Sequence, residues 1–533
     1  MPRLTIDNRE VEVPPGATVL DGAHKLGIEI PTLCFLEGYE PSCSCQICIV
    51  KLADVGRFVP SCGTRAVDGM RIESETPEVH QLRKTALELL LSDHVGDCRA
   101  PCFFACPAHM DVPQMLREIG DEDLRSAIAT IKEDIALPAV LGRVCPKPCE
   151  KGCRRSTADG PVEVCELKRY TADLDLASGD PYVPKCRPDT GKRVVVVGAG
   201  PTGLAAAFHL RQQGHAVTVI DAGEKPGGRL LTEFSADELP PETLDGEIAV
   251  IFALGIELQA GKRLGDETTL NELRNQFDAV LLACGATDKK DVEAWGLKAA
   301  SRGVAVNKGT FETNLPGVFA AGNVLRGKGM VVRSVADGKE AAGAIGQYLA
   351  GRPITPVGRP FSSRMGKLQE GEMGEFLASA GDGPQLDKES TEPQPLSLPI
   401  ASQQAHRCLS CGCAAQGSCK LERYAIMYGA ETARYQSDRR AFVQVNRSGS
   451  VIYEPGKCIN CELCIKIAAE SSDALGLTFV GRGFDVRVGV PFHGTMEEAL
   501  GDMAAKCIAA CLTGALYLSP VHTLAPRASR QED

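Results

Sequence analysis

Residues 4–13, LTIDNREVEV, alternate apolar and polar side chains around Asp7-Asn8, the pattern of a β-hairpin with a tight turn. Thr18 is placed to cap a helix running from Val19 to Leu26, and Gln81–Leu91 has the three-to-four-residue apolar spacing of an amphipathic helix. The run KRVVVV, Lys192–Val197, is apolar enough for a strand buried on both faces. It feeds a glycine-rich turn, a helix to about Gln213 and a second strand, Ala216–Ile220, so this stretch reads as a strand–helix–strand unit. Further strands are expected within Phe277–Thr287 and Thr313–Val324, and a helix over Met330–Ala342. Residues 360–400, rich in Gly, Ser, Glu and Pro, read as a linker with one helix around Glu370–Ser379.

The length of 533 residues suits several domains, and acidic residues exceed basic ones by 69 − 58 = 11. That balance argues against nucleic acid or an anionic membrane as partner. With no 18-residue apolar run and no apolar core in MPRLTIDNREVEV, the expectation is a cytoplasmic protein without membrane insertion.

The 23 cysteines change the picture most, because they fall in tight groups. In a reducing compartment such groups are metal ligands rather than disulfides. The first is Cys34-x10-Cys45-x2-Cys48-x13-Cys62, four thiolates following a hairpin and a helix. The segment IPTLCFLEGYEPSCSCQICIVKL…VPSCGTRA resembles the N-terminal [2Fe-2S] domain of complex I's large iron–sulfur subunit and of iron-only hydrogenases. The resemblance covers about residues 1–80 and implies a β-grasp ferredoxin domain. Cys43 falls where that family has a small residue and is left out of the ligand set.

His94-x3-Cys98-x3-Cys102-x3-Cys106-Pro107 follows, then Cys145, Cys149 and Cys153 in GRVCPKPCEKGCRR and Cys165 in VEVCELKRY. These segments resemble the small subunit of glutamate synthase and the N-terminal part of dihydropyrimidine dehydrogenase. The resemblance implies an α-helical domain over 81–185 holding two [4Fe-4S] clusters. It groups Cys98, Cys102 and Cys153 on one cluster and Cys106, Cys145 and Cys149 on the other, with Cys165 near an unusual ligand position. The eighth ligand stays open between His94, placed as in complex I's motif of one histidine and three cysteines, and Glu166.

Gly198-Ala199-Gly200-Pro201-Thr202-Gly203 lies between the strand and helix of the βαβ unit, and Asp221 ends its second strand. The glycines allow a tight turn and close approach of a pyrophosphate to the helix N-terminus, and the acid accepts from ribose hydroxyls. KPGGRL with Gly228 and Arg229, FDAVLLACGAT, and TNLPGVFAAGNV with Gly322 and Asn323 resemble the FAD fingerprints of the glutamate synthase family. Asn323 replaces an aspartate. That family inserts a second Rossmann unit for NADPH where Gly285 and Gly322 here stand only 37 positions apart. The expectation for 186–355 is a Rossmann-like FAD domain without the NAD(P) insertion.

After the linker, set at 356–403, residues 404–533 form a C-terminal iron–sulfur domain. Cys408, Cys411, Cys413 and Cys419 lie within twelve residues, and either a [4Fe-4S] cluster or zinc fits them. Cys458, Cys461 and Cys464 with the remote Cys511 form the ferredoxin-like cubane pattern. Ala468 stands where a second cluster's cysteine would be, Cys507 is a spare, and LTFVGRGFDVRVGVPF again resembles the complex I subunit.

The fold expected is therefore multidomain α/β and α+β: a β-grasp ferredoxin, a helical double-cubane domain, a Rossmann-like FAD domain and a ferredoxin-like tail. The cofactors expected are FAD, one [2Fe-2S] and three or four [4Fe-4S] clusters. Three functions fit. The first is an electron-transfer subunit of a larger redox complex, with a dehydrogenase- or hydrogenase-type catalytic subunit and ferredoxin or a similar carrier as partners. The second is a stand-alone NAD(P)H:acceptor oxidoreductase, and the third is a scaffold whose flavin site has decayed.

Overall fold

The computed structural model describes residues 1–356, 360–383, 396–435, 437–445 and 449–519. Residues 357–359 and 384–395 of the expected linker and 520–533 of the expected C-terminal domain lie outside that set. The chain forms two compact units that interleave in sequence. The first gathers Met1–Ala100, Phe361–Ser379 and Ser410–Asp533, and the second Pro101–Pro360 and Ala380–Leu409.

The first unit opens with the hairpin Arg3–Ile6/Arg9–Glu12, turning on Asp7 and Asn8 at φ 47° and 63°, the left-handed pair a two-residue hairpin needs. A five-stranded sheet follows, in the spatial order 9–12, 3–6, 71–73, 49–52, 57–60, with 3–6 parallel to 71–73 and every other pairing antiparallel. Helix Val19–Lys25 packs on it, held by a reciprocal capping box between Thr18 and Asp21. The next helix is Pro77–Ser92, four residues longer at its start than the apolar spacing alone suggests. Thr76 caps it and Pro77 occupies its first turn, where a missing N–H costs nothing. Phe361–Ser379 joins this unit through Phe376, stacked on Phe442 at 4.3 Å, and through the buried pair Arg439–Glu372. The expected linker helix is there, as Glu372–Leu377.

The second unit joins a helical portion, 101–177, to a parallel sheet. Strands Val318–Ala320, Ala279–Leu282, Arg193–Val197, Ala216–Ile220 and Glu257–Gln259 lie side by side in that order, all parallel. Helices Pro201–Gln212 and Val331–Leu349 pack against each other in its main core. The contact is close because Gly338 carries no side chain: a Cβ there would stand 2.3 Å from the Thr202 carbonyl oxygen. Between Gly285 and Gly322 the described residues add one short helix, Lys289–Ala294, and no second sheet.

Candidate functional site

Among the described residues, no three His, Cys, Asp or Glu side chains are arranged to hold a lone metal ion. The cysteines instead form thiol sets whose donor chemistry is that of polynuclear iron–sulfur clusters.

In the first unit, the loop after helix Val19–Lys25 brings Cys34, Cys45, Cys48 and Cys62 together, each at most 4% exposed. The Cys48 and Cys62 sulfurs are 3.3 Å apart. Hydrogen bonds from Cys45 and Cys62 pull the Cys34 thiol down to about 2, and the same contacts push Cys45 and Cys62 up. Four thiols competing for protons in so small a volume are poised to exchange them for metal. Cys43, held at φ 51°, sits at the rim with its sulfur 3.8 Å from that of Cys62.

Cys458, Cys461, Cys464 and Cys511 line a pocket with Tyr453, Leu463, Leu477 and Val488. Backbone N–H groups of Asn460 and Leu516 donate to the Cys458 and Cys511 sulfurs, each at 3.4 Å. Cys507 is fully buried, and its thiol donates to the Cys464 carbonyl at 3.6 Å. The [2Fe-2S] loop abuts this set: Ser42 Oγ donates to the Cys461 carbonyl at 3.0 Å, and Cys34 contributes to raising Cys461 to about 12, chiefly a burial effect.

Cys98 also belongs to the first unit. The Cys413 N–H donates to the Cys98 carbonyl at 3.4 Å, and the Cys413 and Cys98 charges help burial raise Cys419 to about 12. The sequence does not suggest this grouping. His94, partly buried, is held neutral at about 4 by desolvation and by Lys457. The run Cys408–Cys419 divides between the units at Leu409/Ser410, where Ser410 turns the chain at φ 46°. Cys408 packs against the second unit's core, while Ser410–Cys419 belongs to the first unit.

In the second unit, Cys165 hydrogen-bonds with both Cys145 and Cys149, which lowers it and raises the other two. Cys106 adds to the field on Cys149, and all four thiols face Lys168, whose ammonium is buried but kept charged by them. Cys165 thus stands as the fourth member beside Cys106, Cys145 and Cys149. Glu166, the other candidate ligand, is paired with Arg169. Cys102 lies on helix Pro101–Ala105, where Ala105 meets Gly152, next to Cys153. Arg155, two residues past Cys153, donates to the Arg407 carbonyl at 2.6 Å. Arg407 in turn holds the carbonyls of Asp159, Gly160 and Pro161, which fixes the approach of Cys408.

The glycine turn lies at the carboxyl end of strand Arg193–Val197. A Cβ on Gly198 (φ 109°) would stand 2.5 Å from the Ala283 carbonyl oxygen, and one on Gly203 would stand 1.8 Å from that of Gly198. Gly200 caps helix Pro201–Gln212 and faces Gly228, so the approach to the helix N-terminus is bare backbone. Asp221 accepts from Ala199 N–H at 2.5 Å and Gly223 N–H at 2.7 Å, bracing the turn while keeping lone pairs for a ribose. Arg229 is spanned between Glu233 and the Gly329 carbonyl. Gly322 (φ 78°) packs on Thr202, and beside it Asn323 Oδ1 is buried with no hydrogen-bond partner. A bare-backbone anion site, a carboxylate with lone pairs to spare and an orphaned amide oxygen fit a dinucleotide with a polyol chain. Lys339 ties this part to the thiol-bearing part, donating to the Ala108 carbonyl at 2.7 Å and to Asp134 at 2.8 Å.

Three family models match parts of the chain. Residues 2–77 match the 2Fe-2S iron-sulfur cluster binding domain, 86–179 the 4Fe-4S cluster domain II of dihydropyrimidine dehydrogenase, and 161–338 the pyridine nucleotide-disulphide oxidoreductase family. The chain is 36% identical over 241 residues to the NADP(+)-dependent formate dehydrogenase subunit beta of Moorella thermoacetica, covering 41% of this chain and 32% of that protein. It is 37% identical over 189 residues to the NAD-dependent dihydropyrimidine dehydrogenase subunit PreT of Escherichia coli, covering 35% and 45%. It is 33% identical over 189 residues to the glutamate synthase [NADPH] small chain of Bacillus subtilis, covering 35% and 38%. The chain thus matches 32–45% of the length of these relatives. Among the described residues, no helix is long and apolar enough to cross a membrane.

Proposed function

We propose that this chain is the iron–sulfur flavoprotein electron-transfer subunit of a larger redox complex, with FAD on the parallel sheet and a chain of clusters leading from it. The finer fold reading goes with it: a β-grasp ferredoxin sheet, a helical cluster domain, a Rossmann-like FAD domain without NAD(P) insertion, and a ferredoxin-like C-terminal module. The observation that carries the proposal is that one unit holds both the dinucleotide cradle and the Cys106/Cys145/Cys149/Cys165 set, fastened together through Lys339. A bound flavin exchanges one or two electrons and each cluster one, so the pairing joins a two-electron reaction to a one-electron path. The protein supplies the electrostatics: buried Lys168 offsets the thiolates' negative charge, and burial keeps water from the sulfurs. The partners of this reading are a dehydrogenase- or hydrogenase-type catalytic subunit and ferredoxin or a similar carrier.

The absence of a second sheet between Gly285 and Gly322, among the described residues, favours this over a stand-alone NAD(P)H oxidoreductase. A nicotinamide must lie in near contact with the flavin, which takes binding energy from the rest of the dinucleotide. The test is a stopped-flow mix of the anaerobic chain with NADH or NADPH, following flavin absorbance. Bleaching is expected with dithionite and not with sub-millimolar nucleotide. Rapid bleaching by nucleotide alone establishes the stand-alone enzyme instead.

A further inference from the structure

The first unit leaves off at Ala100 and resumes for good at Ser410, and these two crossings lie together. Asp97 and Gly412 form a parallel bridge, and a Cβ on Gly412 would be 3.3 Å from the Ala100 nitrogen. A unit inserted into another needs such adjacent ends. Cys98 stands on the outgoing edge and Cys413 and Cys419 on the returning one. Arg99, next to Cys98, pairs with Glu422 at 3.4 Å, and the Glu422 N–H donates to the Cys419 sulfur at 3.4 Å. The Ser363 N–H donates to the Cys98 sulfur at 3.3 Å. Two of the three sulfurs thus take a backbone N–H each, an arrangement that tunes cluster sulfurs. Lys457 enters from the other side: its Cε would lie 2.6 Å from a Cβ on Gly96, midway between His94 and Cys98. Its charge reaches His94, Cys98 and Cys413 alike. The adjoining strand contact, Val95 N–H to the Gly456 carbonyl at 2.7 Å, fixes His94 against this pocket.

We infer that His94, Cys98, Cys413 and Cys419 hold a single [4Fe-4S] cluster, assembled from the two chain edges that flank the inserted flavin unit. Cys98 and Cys413 are 413 − 98 = 315 positions apart, so the cluster closes the first unit across the whole insertion. The donors are three thiolates and one imidazole. Cys102, Cys153 and Cys408 are left to the second unit. The C-terminal set adjoins this site through Cys413, whose sulfur is 3.8 Å from the Thr513 carbonyl oxygen, two residues beyond Cys511.

This inference deepens the iron–sulfur reading and rests on it, and the experiment separates the two. Full-length chain is prepared anaerobically as wild type and as Cys98→Ser, Cys413→Ser and His94→Cys, and compared by iron analysis, Mössbauer and pulsed electron paramagnetic resonance. Cys98→Ser and Cys413→Ser are each expected to lose about four irons and the same spectral component, with the [2Fe-2S] signal kept. Wild type is expected to show nitrogen coupling from a directly bound imidazole, which His94→Cys abolishes while keeping its iron. Loss of different components from Cys98→Ser and Cys413→Ser overturns the shared site, and absence of the coupling in wild type overturns His94 as its ligand. A wild type without iron–sulfur signals overturns the underlying reading itself.

Discussion

Replacing Gly203 by alanine tests the flavin cradle where it has least freedom. The new Cβ would stand 1.8 Å from the Gly198 carbonyl oxygen, so restoring ordinary contact at 3.4 Å requires a shift of 3.4 − 1.8 = 1.6 Å. Gly198 has little room to retreat, because a Cβ of its own would be only 2.5 Å from the Ala283 oxygen. Overpacking typically costs about 1–3 kcal/mol, and a backbone-on-backbone clash belongs at the upper end. The shift also drags the N–H groups that face a bound pyrophosphate, and each charge-assisted hydrogen bond lost is worth about 1.5–3 kcal/mol. At roughly 1.4 kcal/mol per decade, about 3 kcal/mol predicts at least a 100-fold loss of FAD affinity. Gly343→Ala is the control. It lies in helix Val331–Leu349 with no neighbour within 4 Å of the added carbon, and should gain up to about 1 kcal/mol without changing flavin content. The assay is FAD per chain by absorbance after desalting, with Kd from fluorescence quenching of added FAD. A Gly203→Ala chain that keeps its full flavin complement at unchanged Kd refutes the geometry.

Three further outcomes follow from other sites. Cys45→Ser should abolish the [2Fe-2S] resonance signal, because a buried thiolate at the centre of its set is lost, whereas Cys43→Ser at the rim should leave it nearly intact; equal loss in both would show that the ligand loop is misassigned. Burial raises Glu247 from 4.5 to about 7, so folding stability is fully present below pH 4.5 and falls by roughly 3 kcal/mol as pH rises through 7; Glu247→Gln should flatten the melting temperature between pH 5 and 8, and an unchanged slope would contradict this. Arg407→Met removes a fully buried cation from the Asp159, Gly160 and Pro161 carbonyls, and should cost about 3–5 kcal/mol in urea unfolding, with a loss below 1 kcal/mol counting against the network.

Features written in short stretches of sequence were legible. Asp7-Asn8 announces its hairpin, Thr18 and Asp21 their capping box, and Lys192–Asp221 its strand, turn, helix and acid, because spacing along a few residues fixes each one. Apolar spacing alone misses the first turn of helix Pro77–Ser92, because that turn is set by the Thr76 cap and Pro77 rather than by an apolar face. The partnership of Cys98 with Cys413 was not legible. It arises from packing between segments 315 positions apart, whereas the family resemblance groups Cys98 with Cys102 and Cys153, and spacing groups Cys413 with Cys408, Cys411 and Cys419. Cys165 lay between these cases: its neighbourhood pointed to a cluster, but only the meeting of helix Val164–Ala177 with Cys145 and Cys149 brings it in as a fourth thiol.

The most direct test of the account is the cofactor inventory of the anaerobically prepared chain: iron, acid-labile sulfide and flavin measured on one sample, with Mössbauer spectra to sort the iron by cluster type. One [2Fe-2S] and three or four [4Fe-4S] clusters give about 2 + 12 = 14 or 2 + 16 = 18 irons with one FAD per chain. Fewer than about ten irons after full reconstitution, or a chain that binds no flavin, would contradict it.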